Sequence, residues 1–191
     1  MQSLIPSVLL NIVRNPVKHS RLISTAQMTF KQIKVKEGLP PTDLYEDSPA
    51  NKINISELCS NKKVIIFGVP GAFTPGCSKT HLPGYIENAN KLKQEHGASE
   101  ILCISVNDPF VMSAWGKEHG AAGKVRMLAD PHGRFSSALG LTIDLPPLGG
   151  TRSKRYSMIV NNNVVEELNV EPDGTGLSCS LADKVGKSTV K

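Results

Sequence analysis

The chain has 191 residues, a formal net charge of +5 and 39% hydrophobic residues. This length suits one domain with an extension, and the apolar fraction is sufficient for a single core. No run of 18 or more apolar residues occurs, so the sequence predicts no membrane span. Its basic residues do not cluster with aromatic ones, and nucleic-acid binding is therefore not indicated.

The N-terminal region differs in composition from the rest of the chain. Its first 36 residues contain no Asp or Glu and carry Arg14, Lys18 and Arg21 among Ser and aliphatic residues. This pattern is typical of a mitochondrial transit peptide, which we predict over residues 1–27, with the folded domain over residues 28–191. The alternative interpretation is a disordered tail. We expect a matrix protein, with a cytoplasmic form if translation starts at Met28; the last four residues do not resemble a peroxisomal address.

The first buried element is predicted at residues 63–69, a short apolar run bounded by lysines and by Pro70-Gly71. A helix follows, with Tyr85, Ala89 and Leu92 on one face and Gly97 at its end; Pro83-Gly84 should kink or interrupt it. The later predicted elements are a strand at 101–106, a helix that Asp108 caps and Pro109 begins, a strand at 125–129, a short helix ending near 139, strands at 156–160 and 164–170, and a helix at 177–184.

This order of strands and helices predicts an α/β fold with a central mixed β-sheet and helices on both faces. The early strands are expected to be parallel because helices connect them, and the closing hairpin adds antiparallel pairs. Residues 142–150 are rich in Pro and Gly and are predicted to form a loop that lines either the active site or a dimer contact.

The strongest chemical signal is the run Thr74-Pro75-Gly76-Cys77 directly after the first strand. Thr is a good N-cap and Pro suits the first helical position, so Cys77 is predicted at the third helical position. Free backbone N–H groups and the helix dipole favour an anion there, and such sites lower a cysteine pKa from about 8.5 to between about 3.5 and 7.5. The competing interpretation is an inert, buried cysteine.

The other cysteines show no paired spacing. Cys59, Cys103 and Cys179 form no CxxC motif with each other or with Cys77, so neither a zinc ribbon nor a dithiol motif of the thioredoxin type is indicated. Cys103 lies within a predicted strand and is expected to be buried and inert, and Cys59 is given no role. His81 and Cys77 alone would supply only two ligands to a metal.

The chain resembles the peroxiredoxins. Pro70, Thr74 and Cys77 fit the pattern P-x-x-x-T-x-x-C, and the string FGVPGAFTPGCSKTHLPGY at residues 67–85 is similar to the peroxiredoxin-5 subfamily. Further matching strings are SVND at 105–108, LADP at 128–131, RYSM at 155–158 and NVEPDGTGLSCS at 169–180. The resemblance covers about residues 30–181 and implies a thioredoxin-like fold.

The resemblance also implies roles for single residues. Cys77 would be the peroxidatic thiolate, Thr74 and Arg155 would stabilise the thiolate and the peroxide, and Pro70 would shield the pocket. Cys179 would resolve oxidised Cys77 as an intramolecular disulfide, which thioredoxin would reduce. The family implies no cofactor, no metal and a homodimer, and it assigns no role to His81.

Two alternatives stay open at this stage. In one, Cys179 has no part, and glutathione or glutaredoxin recycles Cys77 as a one-cysteine peroxidase. In the other, Cys77 is a redox sensor without turnover. For Arg155, the sequence without the resemblance favours a solvated charge at a strand edge, because Arg152 and Lys154 are its neighbours.

Overall fold

The computed structural model describes residues 31–187; the whole predicted transit peptide, residues 1–27, and the last four residues therefore lie outside the described part. Its strands are β1 Asp43–Glu46, β2 Lys52–Asn54, β3 Lys63–Val69, β4 Glu100–Ser105, β5 Arg126–Ala129, β6 Thr142–Leu145, β7 Gly150–Ser153, β8 Tyr156–Asn161 and β9 Val164–Val170. Its α-helices are α1 Ile55–Cys59, α2 Leu82–Glu87, α3 Ala89–His96, α4 Pro109–Glu118 and α5 Arg134–Ala138. A π-helical segment covers Cys77–His81, and 3-10 turns cover Pro146–Leu148 and Ala182–Lys184.

Seven of the strands form one sheet in the order β2-β1-β5-β4-β3-β8-β9. Strand β4 lies parallel to β3 and β5, whereas β8 and β1 pair antiparallel at the two sides of this parallel centre. Connections through helices produce the parallel pairs, and the tight turn at residues 161–163 produces the antiparallel β8–β9 pair. The predicted mixed sheet is confirmed.

The two faces of the sheet carry separate cores because successive side chains of a strand point to opposite faces. On one face, Ile65 and Phe67 of β3 pack with α2, α3 and α4. On the other, Val64 and Ile66 pack with α1 and α5. Helices therefore cover both faces, and β3, the strand that leads to Cys77, is buried at the centre of the molecule.

Several local predictions are confirmed. Asp108 caps α4 by accepting N–H bonds from Phe110 and Val111, both at 3.0 Å. Tyr85, Ala89 and Leu92 are all buried, and Gly97 ends α3 in the left-handed region at φ 64°. The helix after Cys77 is interrupted, but at Asn88, which separates α2 from α3, and not at the predicted Pro83-Gly84, which lies in the first turn of α2.

Three predictions were wrong or incomplete. Residues 142–150 are not a loop: β6 and β7 form a hairpin in which Thr142 pairs with Ser153 and Leu145 with Gly150. The chain can reverse there because Gly149 and Gly150 adopt φ of 92° and 102°, where glycine is favoured. The elements β1, β2 and α1, which precede residue 63, were not predicted.

The predicted helix at residues 177–184 is also absent, apart from the single 3-10 turn at Ala182–Lys184. The reason is a long-range contact. The backbone N–H groups of Ser178, Cys179 and Ser180 all bind the carboxylate of Glu171, at 2.8–3.0 Å. They therefore do not form the hydrogen bonds that a helix would need.

Candidate active site

Cys77 lies just past the carboxyl end of β3 and is wholly buried. Pro75 and Gly76 are already helical, so Cys77 occupies the predicted third position of a helix that continues in π geometry over Cys77–His81. The first helical turn is closed by the Ser78 N–H, which donates to the Thr74 carbonyl at 2.9 Å. The sulfur therefore lies at a helix N-terminus, where the backbone favours negative charge.

Arg155 contacts the sulfur directly, with its Nη1 atom 3.4 Å from Cys77 Sγ. It is 4% exposed rather than solvated at a strand edge. Its Nε donates to the Thr175 carbonyl at 3.0 Å, and its backbone N–H donates to the Gly174 carbonyl at 2.7 Å. The Arg155 guanidinium is thus held against Cys77 by carbonyl groups of residues 174–175, a segment that is distant in sequence.

Gly76 provides the room for this contact. A Cβ at this position would lie 3.2 Å from Arg155 Nη2 and 3.4 Å from the Leu177 side chain. A larger residue would therefore press on the guanidinium, which is already fixed by its other bonds.

His81 is a residue of the site that the sequence analysis set aside. Its Nδ1 lies 3.2 Å from Arg155 Nη1, and its Nε2 lies 3.0 Å from the Ser180 carbonyl oxygen. A guanidinium only donates and a carbonyl only accepts, so Nε2 carries the ring proton and Nδ1 accepts from Arg155. The signal in the sequence was the i+4 spacing from Cys77, which puts both side chains on one face of a helix.

Burial determines the charge of His81. The ring is 1% exposed, and burial lowers the pKa of His81 to about 3, helped by the Arg155 charge and opposed by the bond to Ser180. The imidazole is therefore neutral near pH 7 and links Arg155 to Ser180. Tyr85 completes this link, because its hydroxyl donates to the same Ser180 carbonyl at 2.8 Å.

Glu171 organises the segment that carries Cys179. It lies within the matching string at 169–180, but no local pattern in the sequence indicated this role. The carboxylate is buried and accepts three backbone N–H bonds from residues 178–180 together with the hydroxyls of Ser178 at 2.6 Å and Ser180 at 2.7 Å. Burial alone would raise the pKa of Glu171, but these hydrogen bonds lower it to about 2. Its own backbone N–H donates to the Arg155 carbonyl at 3.0 Å, so the segment is tied to Arg155.

Thr74 plays a different part from the one expected of an N-cap. Its hydroxyl donates to the Gly71 carbonyl at 2.9 Å, and this bond closes the turn that precedes Cys77. In this arrangement the hydroxyl proton is directed at Gly71 and not at the sulfur. The helix-capping bond predicted for its side chain is not formed.

Pro70 is held by Arg152, a second residue that sequence reasoning missed. Arg152 Nε donates to the Pro70 carbonyl at 2.7 Å, and its Nη2 donates to Asn107 Oδ1 at 2.9 Å. The same Asn107 oxygen accepts from the Ala72 N–H and the Ser105 hydroxyl. The turn between β3 and Cys77 is thereby fixed from the β6–β7 hairpin and from the end of β4.

Comparison with known proteins places this site in a family. Residues 27–185 match the family model described as Redoxin. The chain is 44% identical to Peroxiredoxin-2B of Arabidopsis thaliana over 144 residues, which cover 75% of this chain and 88% of the relative.

Solved structures agree with this match. Reduced Prx3 of Vibrio vulnificus in complex with hydrogen peroxide superposes with a TM-score of 0.75 at 43% identity, covering 81% of this chain and 97% of that one. Peroxiredoxin 5 of Alvinella pompejana superposes with a TM-score of 0.69 at 44% identity, covering 77% of this chain and 95% of that one. The protein belongs to the Redoxin family and is a peroxiredoxin. It is therefore a peroxidase of the oxidoreductase class with a thioredoxin-like fold.

The four cysteines of this peroxiredoxin are all free, and their surroundings differ. Burial raises the pKa of Cys59 to about 12 and that of Cys103 well above its ordinary value. Both are therefore thiols within the core. Cys179 is half-buried, and burial followed by the Glu171 charge raises its pKa as well. Within residues 31–187, Cys77 is the only one of the four with a guanidinium hydrogen-bonded to its sulfur.

Two further properties hold for residues 31–187 of the peroxiredoxin. Within them, no three His, Cys, Asp or Glu side chains come together as ligands for a metal ion. None of the helices there has the length and apolar character needed to cross a bilayer.

Proposed function

We propose that this peroxiredoxin reduces hydrogen peroxide and organic hydroperoxides with Cys77, that Cys179 resolves the product, and that thioredoxin restores the dithiol. The observation that carries the proposal is the contact between Arg155 and the Cys77 sulfur, continued through His81 to the segment of Cys179. This contact puts the N–H donors of a guanidinium 3.4 Å from the sulfur that would attack the peroxide.

In the first step the Cys77 thiolate attacks one peroxide oxygen and the O–O bond breaks. The sulfur loses two electrons and becomes a sulfenic acid, and the leaving oxygen takes up a proton to depart as water or alcohol. Negative charge moves from sulfur to oxygen during this step. Arg155 suits both ends of that movement, because its several N–H donors lie in one plane.

Thr74 and Pro70 support the same step in this proposal. Thr74 closes the turn before Cys77 through Gly71, and the lone pairs of its hydroxyl oxygen can accept a hydrogen bond from the peroxide O–H. Pro70 has no N–H that would compete for the peroxide, and Arg152 holds its carbonyl.

In the second step the Cys179 thiol attacks the sulfenic sulfur, an S–S bond forms, and the hydroxyl leaves as water. Reduced thioredoxin then breaks this bond by thiol–disulfide exchange and becomes oxidised itself. Cys179 suits this role because it is half-buried and lies beside Ser180, whose carbonyl bonds to His81 of the Cys77 helix.

Mass spectrometry of the reduced full-length protein after one equivalent of hydrogen peroxide tests the proposal. We expect a peptide pair that links Cys77 to Cys179. Cys179→Ser should retain the sulfenic acid at Cys77 but lose thioredoxin-linked turnover, whereas the matched core variant Cys59→Ala should behave like wild type.

Unchanged turnover in Cys179→Ser would remove Cys179 from the mechanism, and turnover with glutathione and glutaredoxin would support the one-cysteine alternative. An unoxidised Cys77 in wild type would refute the peroxidase.

We also propose that the protein acts as a homodimer. Phe73, Phe110 and Leu148 are among the large apolar side chains that are exposed, at 49%, 61% and 39%. Two of them are linked to Asn107: Arg152 donates to both Asn107 and the Leu148 carbonyl, and Asn107 accepts from the N–H of Ala72, which precedes Phe73. Phe110 follows Asn107 by three residues, in the first turn of α4. An apolar patch beside an active site is a suitable surface for a second copy.

The mitochondrial matrix is the proposed location, with a cytoplasmic form that begins at Met28. The basic, acid-free composition of residues 1–27 supports this proposal. Deletion of residues 2–27 should abolish import of the chain into isolated mitochondria. Import at the wild-type level after this deletion would refute the transit peptide.

A further inference from the structure

Two side chains of α4 hold Ser78, the residue that follows Cys77. Trp115 Nε1 donates to the Ser78 hydroxyl at 3.0 Å, and His119 Nε2 lies 3.1 Å from the Ser78 carbonyl oxygen. The other ring nitrogen, Nδ1, lies 3.0 Å from the Trp115 carbonyl oxygen. A neutral imidazole has one N–H and can donate to only one of the two carbonyls. The Trp115 carbonyl already accepts the backbone N–H of His119 at 3.2 Å, so we assign the ring proton to Nε2, which donates to Ser78. We call this set of contacts the Ser78 clamp.

The backbone explains why the Ser78 carbonyl needs a donor from a side chain. In α-helical geometry the donor would be the Leu82 N–H, but this group donates to the Cys77 carbonyl in the π-helical segment. In π geometry the donor would be residue 83, which is a proline without an N–H. Neither helical geometry therefore leaves a backbone donor for this carbonyl, and His119 provides one.

We propose that His119 is a positioning residue for the peroxidatic helix. Its bond to Ser78 holds the turn after Cys77 closed and so determines how often this turn opens. The consequence for turnover rests on the proposed function. In the closed turn, Cys77 lies beside Arg155, and this is the state in which it reacts with peroxide. Because Cys77 is wholly buried in that state, its sulfur must leave the contact with Arg155 before it can bond to Cys179.

Opening of the turn is measurable without any chemistry at the sulfur. In the reduced full-length chain, hydrogen exchange at the amides of residues 78–82 reports the open fraction. His119→Leu removes the donor, and we expect exchange about fivefold faster, the effect of one net hydrogen bond. His119→Gln retains a side-chain N–H donor and should exchange at the wild-type rate, as should the control His132→Leu, which alters an exposed histidine.

Pro83→Ala provides an independent second variant. It returns a backbone N–H to the position from which π geometry would reach Ser78. In this background, His119→Leu should accelerate exchange less than about twofold, because the carbonyl has another donor. Unchanged exchange in His119→Leu, or the same acceleration in His119→Gln, would overturn the proposal. An undiminished effect of His119→Leu beside Pro83→Ala would overturn it too.

The rates of the two chemical steps distinguish a change in the opening of the turn from general damage to the site. Because the open turn is the minor state, His119→Leu should raise the rate of disulfide formation about fivefold and change the rate of Cys77 oxidation less than about twofold. Faster exchange without faster disulfide formation would overturn the link to turnover. If wild type formed no Cys77–Cys179 disulfide, the proposed function would fail, whereas the exchange measurement would still decide the role of His119.

Discussion

At the scale of single residues, the site depends on how Arg155 is held. One of its nitrogens contacts both the Cys77 sulfur and His81, and its remaining bonds go to backbone carbonyls of the segment that follows β9. A guanidinium held in this way needs no rearrangement when charge moves from sulfur to the leaving oxygen. Fixed donors of this kind are where most transition-state stabilisation arises.

Arg155→Ala should therefore slow the oxidation of Cys77 by hydrogen peroxide by more than tenfold, and about 10²–10³-fold is the loss expected for a missing transition-state donor. The oxidation rate of Arg155→Lys should lie between those of wild type and Arg155→Ala, because lysine keeps the charge but lacks the planar set of donors. Stopped-flow measurement of the reduced protein checks both. The exposed Arg134→Ala is the control, and a wild-type rate in Arg155→Ala would refute the assigned role.

His81 should make the folded state sensitive to acid. Because burial holds the pKa of His81 at about 3, the unfolded chain takes up a proton below about pH 6.5 while the folded chain does not. Stability should therefore be complete above pH 6.5 and decline as the pH falls toward 3, by up to about 1.4 kcal/mol per pH unit.

Urea unfolding between pH 7 and pH 4 measures this contribution. His81→Gln should show a shallower loss of unfolding free energy with acid than wild type. His132→Gln, which changes an exposed histidine, should keep the wild-type slope. Equal slopes in all three proteins would contradict the account of His81.

At the scale of elements, residues 171–180 form a loop built around one carboxylate, which extends into the region where a helix was predicted over residues 177–184. Glu171 accepts five hydrogen bonds from Ser178, Cys179 and Ser180. Such bonds to a charged group are stronger than bonds between neutral groups. The loop is therefore ordered in the reduced protein without regular secondary structure, and Cys179 is held by a group that sequence patterns do not reveal.

Glu171→Gln should loosen this loop. The three backbone N–H groups and the Ser180 hydroxyl all donate to one oxygen of Glu171, and the other oxygen accepts only from the Ser178 hydroxyl. A Gln can keep an oxygen at the first position, but that acceptor is uncharged and binds each donor more weakly, so we expect a loss on the order of 3 kcal/mol in unfolding free energy. Cys179 should then be alkylated faster by iodoacetamide, as quantified by peptide mass spectrometry. Glu166→Gln, at an exposed ion pair with Lys63, is the control. If Cys179 reacts at the same rate in both variants, Glu171 does not hold the loop.

These elements also show how much the sequence could predict. The strand β3, the cap at Asp108 and the helical position of Cys77 depend on neighbouring residues, so their local patterns were sufficient. The loop at 171–180 and the contacts of Arg155 depend on residues that are not sequence neighbours. The local pattern instead predicted a helix over residues 177–184 and a solvated charge at Arg155. His81 was visible by its spacing, but its partners Arg155 and Ser180 were not.

At the scale of the whole molecule, the exposed apolar patch of Phe73, Phe110 and Leu148 is the surface proposed for a second copy. Phe110→Glu should weaken a dimer because it would bury a charge at the contact. Sedimentation velocity of the reduced full-length protein should then show a shift toward monomer. Val164→Glu alters another exposed apolar residue and should leave the dimer intact; a monomeric wild type would contradict the proposal.

The central claim is that the fold makes one of four thiols reactive toward peroxide. Its most direct test compares the rates at which two cysteines are oxidised by hydrogen peroxide at pH 7, measured by stopped flow. These are the oxidation of Cys77 in the Cys179→Ser variant and the oxidation of Cys179 in the Cys77→Ser variant. The account predicts that Cys77 reacts at least tenfold faster than both Cys179 and free cysteine. A Cys77 that reacts no faster than free cysteine would contradict it.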